Sequence, residues 1–475
     1  MAKEIVQNIK TPAYNLKQFI VIIFGCLILF LLPLPPGLSE EGRRTLVLVL
    51  LAIILWIKEI LPPALTGLLL MISFPFFKVL SYEKAVEGLG STSAWLLMGV
   101  FIISAAMQES GLDKRIALHL LNLSKGNSKT NLLMIILTTT LFLFLIPTGS
   151  GRIAIMLPIS LGMLNAMQVK KGSNIGKAML LGISYASLIG SIGLMTSAIS
   201  TVYAIGIFES MLGYSWSYIK WFIVMFPGVL IIDLLIWVIF LKIFPPEIDM
   251  VPGGLIYIRN ELTALGKISK QEKKIFLLMA IMITLWIFGD YINISVSQSC
   301  LLIALATMLP GIEIISWKKG IQSVNWSVIL LLGSSLALVE ALTETQAINW
   351  LTENIFSILK GFSPSSIGII ITLMMVIIRF GFPSLLAMTA TTLPLIFTLA
   401  FSFDINPVWL GLVGINASVL GIFLPTQALT LMTSYSAGFY TIKDMCRAGF
   451  FTALAAIIVF TLMANFYWPL LGIKP

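Results

Sequence analysis

Apolar segments follow one another along almost the whole chain, separated by short turns and one longer polar stretch. Hydrophobic residues make up 58% of the 475 residues and charged residues only 11%, whereas charged residues form about a quarter of a soluble domain. A soluble globule with so few charged residues would leave much of its surface without polar cover. At about 20 apolar residues per crossing, the composition predicts an all-α membrane protein that crosses the bilayer many times.

Two pairs of neighbouring apolar segments are separated by unusually short breaks. The segments lie near residues 17–35, 44–58, 61–79, 94–121, 131–148, 151–168, 177–209, 220–243, 274–292, 297–315, 326–344, 365–383, 385–401, 406–436 and 448–471. The breaks at 147–151 and 380–384 are rich in Gly, Pro and Ser. A non-helical break at membrane depth is tolerated only where its backbone is buried in protein or faces a water-filled cavity. We therefore expect two re-entrant hairpins, 131–168 and 365–401, and about 11 transmembrane helices.

The distribution of Lys and Arg predicts the orientation of these helices. With the N-terminus in the cytoplasm, the inside segments hold 21 Lys and Arg residues and the outside segments hold seven. Such a bias is expected of a correct topology. The net charge of +9 is therefore interpreted as loop charge in the cell (inner) membrane, and no nucleic-acid partner is expected.

Four landmarks occur twice, in the same order and at nearly constant spacing. The matched pairs are Trp95 with Trp326, Pro147 with Pro383, Pro158 with Pro394, and Ala186 with Ala417. Five predicted spans separate the starting points of the two copies, and an odd number inverts the second copy. Inverted repeats with broken helices are typical of secondary transporters. We expect the two breaks to face each other across one cavity near the middle of the protein.

The repeats and the polar stretch suggest a division into five regions. N-terminal scaffold helices occupy residues 1–93, and the first repeat occupies 94–243. A cytoplasmic linker follows at 244–273, and further scaffold helices lie at 274–325. The second repeat occupies 326–475.

An arginine lies at each break, where a buried charge would be costly and is a functional hypothesis by default. Arg152 follows Gly149-Ser150-Gly151 at the predicted start of a helix, where free backbone N–H groups favour anions. Arg379 precedes Phe380-Gly381 in the second hairpin. Either arginine is a candidate ligand or countercharge for an anionic substrate. The alternatives are a structural pair with a carboxylate of another helix, or a side chain that reaches water.

Small hydroxyl and amide side chains complete the candidate site, although such residues also pack ordinary membrane helices. The candidate substrate-binding residues are Thr148, Gly149, Ser150, Gly151, Arg152, Thr196, Ser197, Arg379, Pro383, Ser384, Thr426 and Gln427. Asp233 and Glu340 lie within apolar spans and are candidates for ion or proton coupling, or else structural polar contacts.

Other classes of protein are not favoured by the sequence. There is no HExxH motif, no paired catalytic aspartates and no nucleophile with a nearby base, so no enzyme is predicted. A single His119 and three distant cysteines predict no metal site and no cofactor. The remaining alternatives are a proton-coupled carrier of another anion and a membrane protein that does not transport.

Three motifs stand out: the stretch Tyr440-Thr441-Ile442-Lys443-Asp444-Met445 with Ala448-Gly449, and the pairs Leu157-Pro158 and Leu393-Pro394 in the second helices of the two predicted hairpins. They resemble the divalent anion:sodium symporter (DASS) family, the dicarboxylate and citrate carriers of a larger ion-transporter group, and the first stretch is the clearest match. The resemblance implies two inverted repeats, a homodimer built on a scaffold region and elevator-type movement in lipid. It also implies a small anionic substrate, a di- or tricarboxylate.

The chain departs from this family where its members hold sodium and substrate. The family's Ser-Asn-Thr breaks are replaced by Thr148-Gly149-Ser150 and Ser384-Leu385-Leu386. Its Thr-Pro-Pro-Asn segments are replaced by residues 194–197 and 425–428, which carry no asparagine. The sequence leaves open sodium coupling, proton coupling or exchange. Because a guanidinium stays protonated, we predict that Arg152 and Arg379 replace sodium.

Overall fold

The computed structural model describes residues 16–30, 33–58, 60–250, 252–355, 359, 361–382 and 384–475. Within these residues the protein is helical, and its only β-type pairing is an isolated antiparallel bridge between Asn127 and Met250. The expected all-α class is therefore confirmed.

The described residues form 23 α-helices in chain order. They are α1 Leu16–Leu29, α2 Glu40–Lys58, α3 Pro63–Phe76, α4 Tyr82–Glu87, α5 Thr92–Ser110, α6 Leu112–Asn122, α7 Ser128–Leu141, α8 Gly149–Ala166, α9 Asn174–Ile189, α10 Ile199–Leu212, α11 Tyr218–Ile243, α12 Pro252–Leu265, α13 Lys270–Ile292, α14 Val296–Ala306, α15 Trp317–Ser323, α16 Trp326–Glu344, α17 Ala347–Ile355, α18 Pro364–Ile378, α19 Leu385–Ser402, α20 Pro407–Ser418, α21 Leu429–Tyr435, α22 Ile442–Leu462 and α23 Trp468–Leu470.

Many of these helices are apolar enough for a bilayer. Among the described residues, six helical segments have both the length and the hydropathy needed to cross a membrane. They are Tyr82–Ser110, Asn174–Ile192, Tyr218–Ile243, Trp326–Glu344, Leu385–Ser402 and Ile442–Leu470. Six further apolar helices have 10–17 residues. The protein is thus a multi-pass membrane protein, and the number of 11 crossings stays a prediction.

The chain divides into two compact units. The first contains residues up to Gly90 together with Ser327–Ile355, and here α3 packs closely on α16 where Gly67 lies against Ser334. The second contains Ser91–Trp326 and the residues from 356 to the end, including both predicted hairpins. Helix α16, which the sequence assigns to the second repeat, thus groups with the N-terminal helices.

Three segments that are continuously apolar in sequence are divided in the structure. The segment 94–121 turns at Gly111, whose φ of +77° suits a residue without a side chain. Helix α9 stops at Ile189 and the chain resumes as α10 at Ile199. Helix α20 stops at Ser418 and the chain resumes as α21 at Leu429. The second unit therefore contains two interrupted helices as well as the two segments predicted to be hairpins.

The predicted linker contains α12 and the first residues of α13, and α12 packs on α6 and on α8 of the first predicted hairpin. The ring of Tyr257 lies directly against Gly162 of α8, and only a glycine leaves room for it. Arg115 of α6 pairs with Glu272 at 2.6 Å and donates to the carbonyl of Gly266 at 3.0 Å. The linker therefore packs against α8 through Tyr257 and is bound to α6 through Arg115.

Candidate functional site

Each hairpin has a helix that begins at the break with a hydroxyl cap. Thr148 Oγ1 accepts the N–H of Gly151 at 3.1 Å at the start of α8. Ser384 Oγ accepts the N–H of Ala387 at 3.2 Å at the start of α19. Thr148 and Ser384 each come directly after the matched proline of a break, so matched positions have the same local role. Such caps leave the other first N–H groups of α8 and α19 without helical partners.

The two interrupted helices are shaped by their own polar side chains. Ser197 Oγ hydrogen-bonds the carbonyls of Ser191 and Leu194 at 2.5 and 2.7 Å. The Gln427 amide oxygen accepts the N–H groups of Phe423 and Leu424, both at 2.8 Å. Ser197 and Gln427 therefore hold the non-helical backbone between α9 and α10 and between α20 and α21 in place through their own hydrogen bonds.

Arg152 is fully buried (0% exposed) and is held by uncharged groups. Its Nη1 donates to the carbonyl oxygens of Ile146 and Ser197, both at 2.8 Å. Its Nη2 donates to the carbonyl of Ser187 at 2.8 Å, and its Nε donates to Ser187 Oγ at 3.1 Å. Arg152 therefore ties the first hairpin's break to the interrupted helix α9–α10.

Arg379 is also fully buried (0% exposed) and makes a comparable link in the second half. It donates hydrogen bonds to the carbonyl oxygens of Phe382 and Gln427. Neither arginine forms an ion pair with a carboxylate among the described residues. The two structural alternatives, a carboxylate pair and a side chain that reaches water, are therefore wrong for Arg152 and Arg379 in this part of the chain.

The carbonyl partners of the two arginines occupy matched positions. Ile146 and Phe382 each come directly before the proline of a break. Ser197 and Gln427 each follow a threonine and precede an alanine, in the interruption of a helix. In each half one guanidinium thus bridges the hairpin break and the interrupted helix.

The arginines themselves are not at matched positions. When the two breaks are aligned on their prolines, Arg379 corresponds to Leu143 of the first half. Leu143 packs on Gly190, and the stem of Arg379 packs on the matched Gly421. Each half therefore places a guanidinium at an equivalent pair of carbonyls, but the two arginines start from different positions of the backbone.

The two breaks are connected through the segment that follows Gln427. A Cβ at Gly149 would lie 2.8 Å from Cγ2 of Thr430, so the tip of the first hairpin touches the start of α21. Gln427, which lies just before α21, accepts from Arg379 of the second hairpin. Helix α8 packs on α21, and α19 packs on α10. Each hairpin therefore meets the interrupted helix of the other half.

The remaining predicted site residues differ in exposure. Ser150 at the first break and Thr426 between α20 and α21 are exposed, whereas Thr196 between α9 and α10 is buried. Gly151 supplies the N–H that caps α8 and is half-buried. Pro383 lies outside the described residues. The exposed hydroxyls and the open N-termini of α8 and α19 are the groups available to an anion.

The two coupling candidates lie in different surroundings. Asp233 of α11 is fully buried (0% exposed), and its Oδ2 accepts from Thr140 Oγ1 of the first hairpin at 2.6 Å. Its other oxygen has no partner among the described residues. Glu340 of α16 is exposed in the first unit. Only Asp233 has the burial expected of a group that exchanges a proton inside the protein.

Some contributors to the site were not predicted. Thr140 and Thr430 were overlooked because single hydroxyls in apolar helices carry no distinctive signal, although 138–140 is a run of three threonines. The Ile146 and Phe382 carbonyls were missed because a backbone acceptor has no residue type. Their place directly before the two matched prolines is the signal that would have found them.

No group of three or more His, Cys, Asp or Glu that could hold a metal ion occurs in the described part of the chain. Neutral oxygens dominate both bridged segments, and a guanidinium already occupies each carbonyl pair.

Interrupted helices and buried polar backbone in an apolar helical protein are typical of a multi-pass membrane transporter. Comparison with known sequences agrees, because the profile described as "Sodium:sulfate symporter transmembrane region" matches residues 13–474. The chain belongs to this family, and the resemblance to the divalent anion:sodium symporters is confirmed.

Relatives match over nearly their whole length. A sodium-dependent dicarboxylate transporter of Staphylococcus saprophyticus is 29% identical, over 98% of this chain and 94% of the relative. The protein of the same name from Staphylococcus aureus is 28% identical, with the same two coverages. A membrane protein of Cupriavidus necator is 26% identical, over 95% of this chain and 92% of the relative.

Two solved transporters share the fold at low sequence identity. The Alcanivorax borkumensis YdaH transporter superposes with a TM-score of 0.58 at 10% identity, covering 82% of this chain and 88% of that one. The Neisseria gonorrhoeae efflux pump MtrF superposes with a TM-score of 0.57 at 16% identity, covering 95% of both chains. These similarities concern the fold alone.

Proposed function

We propose that the protein is a secondary transporter that exchanges small dicarboxylates across the cell (inner) membrane without sodium. The observation that carries the proposal is the fixed guanidinium at each matched carbonyl pair, Arg152 at Ile146 and Ser197, and Arg379 at Phe382 and Gln427. Relatives named as sodium-dependent dicarboxylate transporters support the substrate class.

The carbonyl pairs have the geometry that attracts a cation. In the first pair, two carbonyl oxygens lie 2.8 Å from one nitrogen of Arg152. Neutral carbonyl oxygens that converge on a point stabilise a positive charge there. Because the charge is already supplied by a side chain, no soluble cation is needed at either pair.

Two fixed positive charges match the two negative charges of a dicarboxylate. The exposed tip at Ser150 and the N-termini of α8 and α19 supply neutral donors for its oxygens. Direct contact between Arg152 and the substrate would require the guanidinium to give up hydrogen bonds, so we assign it the role of countercharge. Arg379 has the same role in the second half.

The fixed charges favour exchange over net transport. A sodium ion can leave with the substrate, but a guanidinium stays in the protein. An empty carrier would hold two buried cations without a counter-anion, which is costly. The return movement is therefore expected to need a second anion.

The proposal includes an architecture. Two inverted repeats place the hairpins on opposite sides of one substrate cavity, and the hairpins move with the interrupted helices as an elevator. Scaffold helices hold a homodimer in lipid, and the N-terminus is cytoplasmic. The matched contacts of Leu143 with Gly190 and of Arg379 with Gly421 support the repeat relationship.

A second candidate is a proton-coupled carrier, which one observation favours. Asp233 is buried with only one hydrogen-bond partner among the described residues, Thr140, on the first hairpin. A carboxyl group in such a place is most easily accommodated as the neutral acid. In this alternative, Asp233 would exchange its proton as the hairpin moves.

Uptake by proteoliposomes distinguishes these functions. Radiolabelled succinate is offered in sodium-free choline buffer to vesicles that are empty or loaded with succinate, with sulfate as a competing dianion. We expect uptake into loaded vesicles only, unchanged by sodium. Uptake into empty vesicles driven by a sodium gradient would refute exchange, and uptake driven by a pH gradient would favour the Asp233 alternative.

A further inference from the structure

A basic pocket lies in the first unit, at one end of three apolar helices. It opens where α1 ends, α2 begins and α3 ends, so its position corresponds to one membrane–water boundary. The pocket is open to one side and has a volume of about 620 Å³. Its lining includes the aromatic residues Phe24, Phe30, Phe76 and Phe77 and the basic residues Arg43, Arg44 and Lys78.

The charges around this pocket are unequal. Three basic side chains line it, and among the described residues Glu40 lies 2.9 Å from Arg43 and 3.9 Å from Arg44. Lys78 forms no ion pair with any carboxylate in the described part of the chain. Lys78, and Arg44 with its more distant carboxylate, therefore supply positive charge to the pocket.

This concentration of charge is unusual for the side of the membrane on which it is expected. In the topology predicted from sequence, only seven Lys and Arg residues lie outside, and three of them are here. Positive residues on that side run against the general bias. Their clustering calls for a local reason, such as a bound anion.

The other wall of the pocket is aromatic and partly exposed. The rings of Phe30 and Phe77 stack with centroids 5.3 Å apart, and Phe76 packs edge-on against Phe77. Phe24 and Phe76 are 65% and 80% exposed. The pocket therefore joins basic groups to an apolar surface, which suits a ligand that has an anionic part and an apolar part.

We propose that this pocket binds an anionic phospholipid, with its phosphate on Arg44 and Lys78 and its acyl chains along the phenylalanines. Guanidinium and ammonium groups form strong charge-assisted hydrogen bonds with phosphate oxygens. A second copy of the chain fits less well, because a two-fold interface here would place the same positive patch against itself.

Thermal unfolding of the purified protein in detergent tests the proposal. The added probes are phosphatidylglycerol, phosphatidylcholine with the same acyl chains, and inorganic phosphate. We expect phosphatidylglycerol to stabilise at much lower concentration than phosphatidylcholine, and inorganic phosphate to have no comparable effect. Equal stabilisation by the two lipids would overturn the proposal, and equal stabilisation by inorganic phosphate would replace the lipid with a free anion.

Charge variants locate the effect. Arg44→Gln and Lys78→Gln each remove one positive charge, and each is expected to weaken phosphatidylglycerol binding about fivefold. Lys58→Gln, at the opposite end of α2, is the matched control and should bind as the wild type does. Native mass spectrometry counts the retained lipid in each variant independently of stability. Unchanged retention in both pocket variants would refute the site.

Discussion

Replacing Arg152 separates its charge from its hydrogen bonds. Arg152→Met removes the positive charge, whereas Arg152→Lys keeps it but cannot reach all the partners of a planar guanidinium. If the arginine is the countercharge of the substrate, Met should weaken binding strongly and Lys only slightly. Both variants should lose folding stability, because they leave carbonyls such as that of Ser187 without a donor.

The size of the binding effect follows from the position of the guanidinium. A Cβ at Gly149 would lie 3.7 Å from Nη2 of Arg152. A carboxylate held by the exposed tip lies about one hydrogen bond further away, roughly 6.5 Å from the charge. At an effective dielectric constant of about 20, this separation corresponds to about 2.5 kcal/mol. The succinate Kd of Arg152→Met should therefore rise roughly 50- to 100-fold.

Isothermal titration with succinate in sodium-free detergent buffer measures the effect directly. Arg115→Met is the matched control, because Arg115 also donates to backbone carbonyls but lies at the linker, away from both breaks. It should reduce thermal stability and leave the succinate Kd unchanged. A wild-type Kd in Arg152→Met, or an equal loss in Arg152→Lys, would show that the charge of Arg152 does not act on the substrate.

Three further predictions concern other contacts. Gly149→Ala should reduce the exchange rate strongly, because its new Cβ would lie 2.8 Å from Thr430. Gly90→Ala is the control, because no atom lies close to the added Cβ, and it should exchange normally. Similar exchange rates in the two variants would contradict this prediction. Asp233→Asn should exchange succinate in proteoliposomes at the wild-type rate and with the wild-type pH dependence. If the wild type takes up succinate along a pH gradient and Asp233→Asn does not, proton coupling is supported instead. Burial raises the pKa of Glu272, but hydrogen bonds from Arg115 and Ser269 outweigh this effect and hold the pKa below 4.5. The ionised carboxylate therefore stabilises the fold above that pH. The difference in melting temperature between wild type and Glu272→Gln should shrink as the pH falls below 4.5. A difference that does not change with pH would contradict a stabilising role of the ionised carboxylate.

The general class of fold was accessible from the sequence for physical reasons. Apolar segments of membrane length have few alternatives to helices, so the all-α class followed directly. The breaks at Pro147 and Gly381 were found because Gly and Pro disfavour helix interiors. The interruptions after Ile189 and Ser418 were not found, because residues 190–198 and 419–428 remain largely apolar and look like continuous spans.

The site was predictable only in part. Arg152 and Arg379 were identified because a charge in an apolar segment is conspicuous, but their partners were not. Composition cannot show that Arg379 of one half reaches the same kind of carbonyl pair as Arg152 of the other, since the two residues are not at matched positions. That relationship depends on how the backbone unwinds, which only the three-dimensional structure shows.

The affinity of the wild-type protein for succinate, measured with sodium and with choline at equal ionic strength, tests the central claim most directly. The claim is that Arg152 and Arg379 occupy the carbonyl pairs at which a soluble cation would otherwise act. We predict the same succinate Kd in both salts, because a guanidinium already donates to both carbonyls of each pair. A Kd that falls as sodium replaces choline would contradict the account, since it would require a sodium site that works together with the substrate.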